Sequence, residues 1–189
     1  MSTKLTTGKV RFSYCHVFEP HAQKQGDTPK YSVTLLIPKT DTVTVGKIKE
    51  ALNEARENFC ARNGQNALPT KPVNTLHDGD GTRKDGDPYG EECKGCYVIT
   101  VSSKQKPIIV DAARNLILDS TEVYSGCYGR ASINFYGYSV NGNKGISAGL
   151  LGIQKLTDGE PLGGSTGSAN DFDDGFVTGE TEDGLDDLL

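Results

Sequence analysis

Residues 123–138 read Val-Tyr-Ser-Gly-Cys-Tyr-Gly-Arg-Ala-Ser-Ile-Asn-Phe-Tyr-Gly-Tyr. From position 128 onward, every second residue is polar or aromatic, and the positions between them hold small or apolar residues. A period of two is typical of a β-strand, because successive side chains of a strand point to opposite faces. We assign Ala131, Ile133 and Phe135 to the face that packs in a core. The stretch therefore predicts a long, half-buried strand.

The opposite face of this strand combines aromatic rings with a guanidinium group. Unpaired bases stack on aromatic rings, at about 1–3 kcal/mol per base, and arginine contacts the nucleic-acid backbone beside them. Alternatively, these tyrosines pack beneath loops and keep their hydroxyls in water. We favour the first interpretation and expect a nucleic-acid-binding face formed by Tyr128, Arg130, Tyr136 and Tyr138.

Five other segments show the same alternation or a short apolar run. In the first of them Val10, Phe12 and Tyr14 share one face, which we assign to the core. Together with residues 123–138, the segments predict five or six strands. The five other segments are residues 10–18, 31–37, 96–102, 107–111 and 146–156.

One helix is predicted from about Val45 to Arg62, and Gly64 follows as a stop signal. Its apolar residues recur at helical spacing, at Ile48, Leu52, Ala55 and Phe59. Several short strands with one interposed helix and long loops indicate a mainly β fold, an OB-fold-like partly closed barrel. A β-sandwich would give the same local signals.

Basic and aromatic residues of other segments extend the predicted binding surface. In the first strand one arginine points away from the core face, and a lysine begins the second strand. The loop of residues 78–89 contains two basic residues and a tyrosine, and we expect it to close over a strand of nucleic acid. An ordinary surface loop is the alternative. These additional predicted contacts are Arg11, Lys30, Arg83, Lys84 and Tyr89.

The same loop contains four aspartates that could hold a divalent cation, as a nuclease would require: Asp78, Asp80, Asp85 and Asp87. A calcium-binding loop that starts at Asp78 would need Gly at its sixth position and Glu at its twelfth. Arg83 and Tyr89 occupy these positions. A nuclease would also use carboxylates from several elements, and the sequence contains no second cluster.

The five cysteines show no disulfide-scaffold spacing, and we expect reduced thiols. Cys93 and Cys96 form a C-x-x-C motif, but a structural zinc site usually needs a second pair. A redox motif should begin a helix, whereas this one leads into a predicted strand. No Ser-His-Asp arrangement or phosphate-binding glycine loop is present. We therefore predict no metal, no cofactor and no catalytic residues.

Charge divides the chain into two parts. All 20 Lys and Arg lie between Lys4 and Lys155, and ten of the 25 acidic residues follow position 156. The body therefore has a net charge of +5 and the remaining segment one of −10. A basic body favours a polyanionic partner, and a separate acidic tail is an interaction arm or a mimic of that partner.

The composition places a domain boundary near position 161. A Gly- and Ser-rich linker begins at Leu162, and the acidic tail from Asp171 is expected to be disordered when free. We thus predict a binding domain at residues 1–161 and a linker with a tail at residues 162–189. The end of the tail mixes acids with leucines, as a peptide ligand for another protein would, and its predicted contacts are Asp183, Leu185, Asp186, Asp187, Leu188 and Leu189.

Several of these segments resemble a family of bacteriophage single-stranded DNA-binding proteins. The resemblance covers nearly the whole body and implies an OB-fold without catalysis. It also implies an acidic C-terminal tail that regulates binding or recruits replication proteins. The segments are Lys30-Tyr-Ser-Val-Thr-Leu-Leu-Ile-Pro-Lys39, Asp78-Gly-Asp80 through Pro88-Tyr-Gly90, residues 123–136, Asn143-Lys-Gly145 and residues 149–164.

We therefore expect a non-catalytic bacteriophage protein that coats and protects single-stranded DNA during replication and recombination. A strand-annealing recombination protein, a metal-dependent nuclease and an inhibitor whose tail mimics DNA are the alternatives. The expected partners are single-stranded DNA, double-stranded DNA at lower affinity, replication proteins that bind the tail, and a second copy in a homodimer. No apolar run approaches the length of a membrane span. We expect no membrane partner and a location in the cytoplasm of the infected bacterium.

Overall fold

The computed structural model describes residues 2–162, which form eight β-strands, one α-helix and a short 3-10 helix, Glu91–Cys93. The predicted linker and tail beyond residue 162 lie outside the described residues. The elements are β1 (Lys4–Thr6), β2 (Val10–His21), β3 (Lys30–Pro38), α1 (Thr42–Asn63), β4 (Leu76–Asp78), β5 (Cys96–Ser103), β6 (Ile108–Val110), β7 (Tyr128–Val140) and β8 (Asn143–Thr157).

Five strands form a ring in the order β2-β3-β5-β8-β7, which closes where β7 pairs with β2. All these pairings are antiparallel except that of β5 with β8, which is parallel and joins Ser102 to Gly149. Because this contact and the β2–β7 pairing are short, the barrel is only partly closed. The architecture is that of the OB-fold, as predicted from the sequence.

The interior of the ring contains the predicted core face of β7. Ala131, Ile133 and Phe135 are all buried, together with Phe12 of β2 and Leu35 of β3. Fully burying an aliphatic or phenylalanine side chain contributes about 1.5–3 kcal/mol each to folding. The alternation in residues 128–136 is therefore confirmed as a division between core and surface.

Helix α1 follows its predicted course and begins three residues earlier, at Thr42. The carboxylate of Asp41 accepts a hydrogen bond from the backbone N–H of Thr44 at 3.0 Å, which caps the helix, and Gly64 ends it. The helix packs on β7, where Gly137 leaves room for the ring of Phe59; an added Cβ would come within 2.5 Å of that ring. No helix of the described residues is long and apolar enough to cross a membrane.

The prediction that Tyr14 packs in the core is wrong. Strand β2 contains an irregularity between Ser13 and His16, and Tyr14 within it has a positive φ of 45°. An extra residue in a strand shifts the following side chains to the other face. As a result Tyr14 is 61 % exposed, while its neighbour in the predicted pattern, Phe12, is fully buried.

Candidate nucleic-acid interface

A groove runs across the outer surface of β3 and β5, the face that OB-folds use for oligonucleotides. Two adjoining pockets of about 410 and 440 Å³ share four lining residues and so form one continuous channel. Its floor consists mainly of small polar side chains. For example, the hydroxyls of Thr34 and Thr100 lie 3.1 Å apart across the two strands. The floor residues are Ser32, Thr34, Leu36, Val98, Thr100 and Ser102.

Tyr14 forms one wall of this groove. A positive φ in a residue other than glycine costs of order 1–3 kcal/mol, and such strain is concentrated at functional sites. The irregularity in β2 therefore presents a large aromatic ring to the groove at a cost in stability. Local alternation contained no signal for it, because the extra residue of the bulge is not visible in the pattern of side chains.

The opposite wall comes from the loop after β4. Residues 82 and 88 pair as an isolated bridge, so the predicted irregular loop is a small hairpin. Arg83 lies over the ring of Tyr89, with its guanidinium carbon 5.3 Å from the ring centroid, and both residues line the groove. Lys84 is exposed at the tip of the hairpin. The structure thus brings three of the predicted residues to the groove or its rim.

Two lysines lie at the other end of the channel. Lys30 begins β3 and Lys104 follows β5, and both are exposed lining residues beside Asp27. Lys30 was predicted from the sequence and Lys104 was not. The groove therefore combines cations at both ends with aromatic rings along one half.

All three histidines of the chain also line this channel: His16, His21 and His77. Their spacing along the chain does not signal this, because only the pairing of β2, β3, β5 and β4 brings them to one surface.

Arg11 and Tyr128 lie beside the groove, where β2 meets β7. The Arg11 side chain donates hydrogen bonds to the carbonyl oxygens of Gly126 at 3.1 Å and Glu160 at 2.6 Å. Its guanidinium carbon is 5.5 Å from the centroid of the half-buried Tyr128 ring, and the amine of Lys9 is 5.1 Å from it. Arg11 is thus engaged with the backbone of residues 158–162, which we call the C-terminal segment.

The C-terminal segment runs along the barrel to the edge of the groove. Asp158 accepts a hydrogen bond from the Tyr124 hydroxyl at 3.0 Å and forms an ion pair with Lys155 at 2.7 Å. Its last residue, Leu162, donates from its backbone N–H to Ser125 and packs against the cluster of Leu36, Cys93 and Val98. The described chain therefore ends against the groove floor.

The remaining residues of the predicted β7 face lie elsewhere. Arg130 donates to the carbonyl oxygen of Thr7 at 2.9 Å. Tyr136 lies beside the C-terminal half of α1, and the Tyr138 ring packs over Gly145 of β8. These residues share one face of β7 with Tyr128, but the strand is long and spans the barrel. The structure therefore does not bring them together with the groove.

Two of the four aspartates that a nuclease would use form ion pairs with a lysine. The amine of Lys39 lies 2.7 Å from carboxylate oxygens of both Asp78 and Asp80 and holds the pKa values of both carboxyls below their usual range. Asp80 also accepts from the backbone N–H of Gly95 at 3.0 Å. Within residues 2–162, no group of three or more His, Cys, Asp or Glu side chains is arranged to hold a metal ion.

Burial disfavours the thiolate form of four cysteines, Cys15, Cys93, Cys96 and Cys127. It raises the pKa of Cys15 to about 12, with a further contribution from Cys127, and it raises the pKa values of Cys93 and Cys96. A protonated thiol is a poor nucleophile and a poor metal ligand. Cys93 packs with Leu36 and Val98 in a cluster that Tyr89 and Cys96 contact, and both cysteines of the C-x-x-C motif lie there as protonated thiols.

Comparison with known proteins gives matches over most of the chain. The model of a family described as "Enterobacter phage Enc34, ssDNA-binding protein" matches residues 3–185. Putative protein p50 of Acyrthosiphon pisum secondary endosymbiont phage 1 is 33% identical over 186 residues, which cover 95% of this chain and 97% of that protein.

Solved structures of phage DNA-binding proteins also resemble this chain. The single-stranded DNA-binding protein from bacteriophage Enc34, in complex with ssDNA, superimposes with a TM-score of 0.74 at 29% identity, over 85% of this chain and 90% of that chain. The single-stranded DNA-binding protein gp2.5 of bacteriophage T7 shares the fold, with a TM-score of 0.59 at 13% identity over 95% and 100% of the two chains. The chain belongs to the family of the Enterobacter phage Enc34 ssDNA-binding protein.

Proposed function

We propose that this protein binds single-stranded DNA in the groove across β3 and β5. The proposal depends on the position of Tyr14. A strained backbone turns its ring, which is 61 % exposed, toward a channel that has cations at both ends. Membership of a family described as ssDNA-binding, with a related structure in complex with ssDNA, supports it.

Binding would combine stacking with phosphate contacts. Bases would stack on Tyr14 and Tyr89, because every base has an aromatic face and such stacking tolerates any sequence. The phosphates would contact Lys30 and Lys104 at one end and Arg83 at the other. The short Ser and Thr side chains of the floor let a strand approach the sheet closely. Arg130, Tyr136, Tyr138 and Lys84 stay predicted contacts, outside this channel or at its rim.

We propose a binding role and not a catalytic one. Lys39 neutralises two of the four carboxylates that a nuclease would use, Asp78 and Asp80, so these two would have to exchange an ion pair for a metal ion. The groove itself offers aromatic rings, cations and hydroxyls. These groups suit reversible binding of a polyanion.

The acidic tail would compete with DNA for this groove. Leu162 packs against the floor cluster, so the chain that carries the eight acidic residues of positions 171–189 continues from the groove edge. A tethered ligand acts at a high effective concentration, and like-charged DNA would have to displace it. In this proposal the tail regulates DNA binding, and its leucine-rich end recruits replication proteins.

In the cell, we propose, the protein coats single-stranded DNA of a bacteriophage in the host cytoplasm during replication and recombination. Cross-linking can test where the strand lies. We would irradiate the full chain with an oligonucleotide that contains bromodeoxyuridine and locate the modified residues by mass spectrometry. The expected adducts are at Tyr14 and Tyr89. Adducts confined to Tyr136 and Tyr138 would place the strand on the far part of β7 and contradict the groove.

A further inference from the structure

Two histidines in the groove form a stacked pair. The rings of His16 and His21 are 4.2 Å apart between centroids and inclined by only 10°. His16 is half-buried and His21 is exposed, and both line the channel beside Tyr14. Their arrangement continues the row of rings along this wall.

An irregularity in β2 produces this stacking. His16 lies opposite Ser32 and His21 lies opposite Lys30, so five positions along β2 correspond to two along β3. Ser32 and Lys30 are two residues apart and share a face of β3, so their partners His16 and His21 also come to one face. Bulges of this kind redirect side chains at functional sites. The register of β2 against β3 therefore places the two imidazoles where they can stack.

The pair has a mostly cationic environment. Lys30 of β3 and Lys104 after β5 face it from one end, and Arg83 lies at the other end of the channel. Burial, with a contribution from His21, lowers the pKa of His16, so its imidazole is mainly neutral near pH 7. The other titratable groups that line the channel are Asp27, His77, Tyr14, Tyr89, Glu92 and Cys93.

We propose that the His16–His21 pair is a nucleotide subsite of the groove, where a base stacks on the exposed ring and a nearby phosphate draws a proton from solvent onto the pair. This inference rests on the proposed function. A phosphate stabilises the imidazolium form, so DNA binding and proton uptake are linked. Each proton taken up makes the affinity rise as the pH falls, by up to about tenfold per pH unit.

Calorimetry of DNA binding tests the linkage. The full-length protein would be titrated with oligothymidylate near pH 6.5 and near pH 8, each in two buffers of different ionisation enthalpy, so that the difference reports protons taken up. Thymine itself does not titrate in the lower part of this range. We expect proton uptake near pH 6.5 that is smaller near pH 8 and is lost in the double variant His16→Gln/His21→Gln. His77→Gln removes the third histidine of the groove and should keep the uptake, which assigns it to the pair.

The outcomes separate this inference from the proposed function. Absence of DNA binding at either pH would contradict both. Binding with equal proton uptake in the wild-type protein and the double variant would overturn only the subsite. The subsite would also be overturned if His77→Gln lost the uptake while the double variant kept it. Should the double variant fail to fold, NMR titration of the wild-type histidine ring protons, with and without the oligonucleotide, decides. The subsite requires the pKa of one or both histidines of the pair to rise on binding, and unchanged pKa values would overturn it.

Discussion

The Nη2 atom of Arg11 donates a hydrogen bond of 2.6 Å to the carbonyl oxygen of Glu160 and so joins the first long strand to the end of the described chain. A second bond, from Nε to Gly126, fixes the guanidinium in place. Gly126 has a φ of 118°, and a Cβ there would collide with the Glu160 carbonyl, so the close approach requires glycine. These contacts hold the backbone at residue 160 against the barrel. A phosphate contact by Arg11 stays a prediction.

The first prediction concerns this anchor. Arg11→Ala removes two hydrogen bonds from a charged donor and should lower the free energy of unfolding by about 1–3 kcal/mol. Urea denaturation would measure the change. Lys9→Ala is the control, because its amine lies over the same Tyr128 ring and the substitution leaves the bonds to residues 126 and 160 intact. Equal stability of the two variants would show that the C-terminal segment is not held by Arg11.

The second prediction separates stability from binding at Tyr14. Tyr14→Gly relieves a positive φ that tyrosine adopts only with strain, so the free energy of unfolding should stay equal or rise, by up to about 1 kcal/mol. The same change removes a stacking ring and should weaken binding of single-stranded DNA by about 1–3 kcal/mol. Denaturation and fluorescence anisotropy would be measured on one preparation. A stable variant with wild-type affinity would remove Tyr14 from the interface.

The third prediction concerns the tail. Deleting residues 171–189 removes eight of the ten acidic residues after position 156 and should tighten DNA binding. The gain should be largest at low salt, where charges are least screened, and should shrink as salt is added. Double-stranded DNA, the weaker expected ligand, should gain proportionally more. A truncated protein with unchanged affinity at low salt would mean that the tail does not compete and serves only other partners.

Local patterns in the sequence predicted the barrel well. Alternation located β7, and helical spacing with a final glycine located α1, because both signals depend on neighbours along the chain. The three residues assigned to the core face of β7, Ala131, Ile133 and Phe135, are all buried. Two of the three strands with only three residues, β1 and β4, were missed, because three residues are too few to show a period. The third, β6, lies within the predicted strand of residues 107–111.

The site was harder to predict because long-range geometry creates it. A bulge moves Tyr14 from the predicted core face to the groove, and pairing between distant strands gathers three histidines from positions 16, 21 and 77. The row of residues on β7 was predicted as one surface, yet the strand crosses the barrel and separates Tyr128 from Tyr136. A linear pattern indicates the face of a strand and contains no information about its curvature.

The most direct test of the groove compares two variants of equal net charge. The groove variant is Lys30→Ala/Arg83→Ala/Lys104→Ala. The matched variant, Lys47→Ala/Lys49→Ala/Arg62→Ala, removes three exposed cations from α1, which packs on β7 away from the groove.

The affinity of both full-length variants for a labelled single-stranded oligonucleotide would be measured over a range of salt. The groove variant should bind on the order of 100-fold more weakly at low salt. Its affinity should also depend less steeply on salt, because the slope of log affinity against log salt loses about 0.7 in magnitude for each phosphate that is no longer neutralised. The α1 variant should bind nearly as the wild type does. Equal weakening in the two variants would show that net charge alone attracts DNA and would contradict a binding site across β3 and β5.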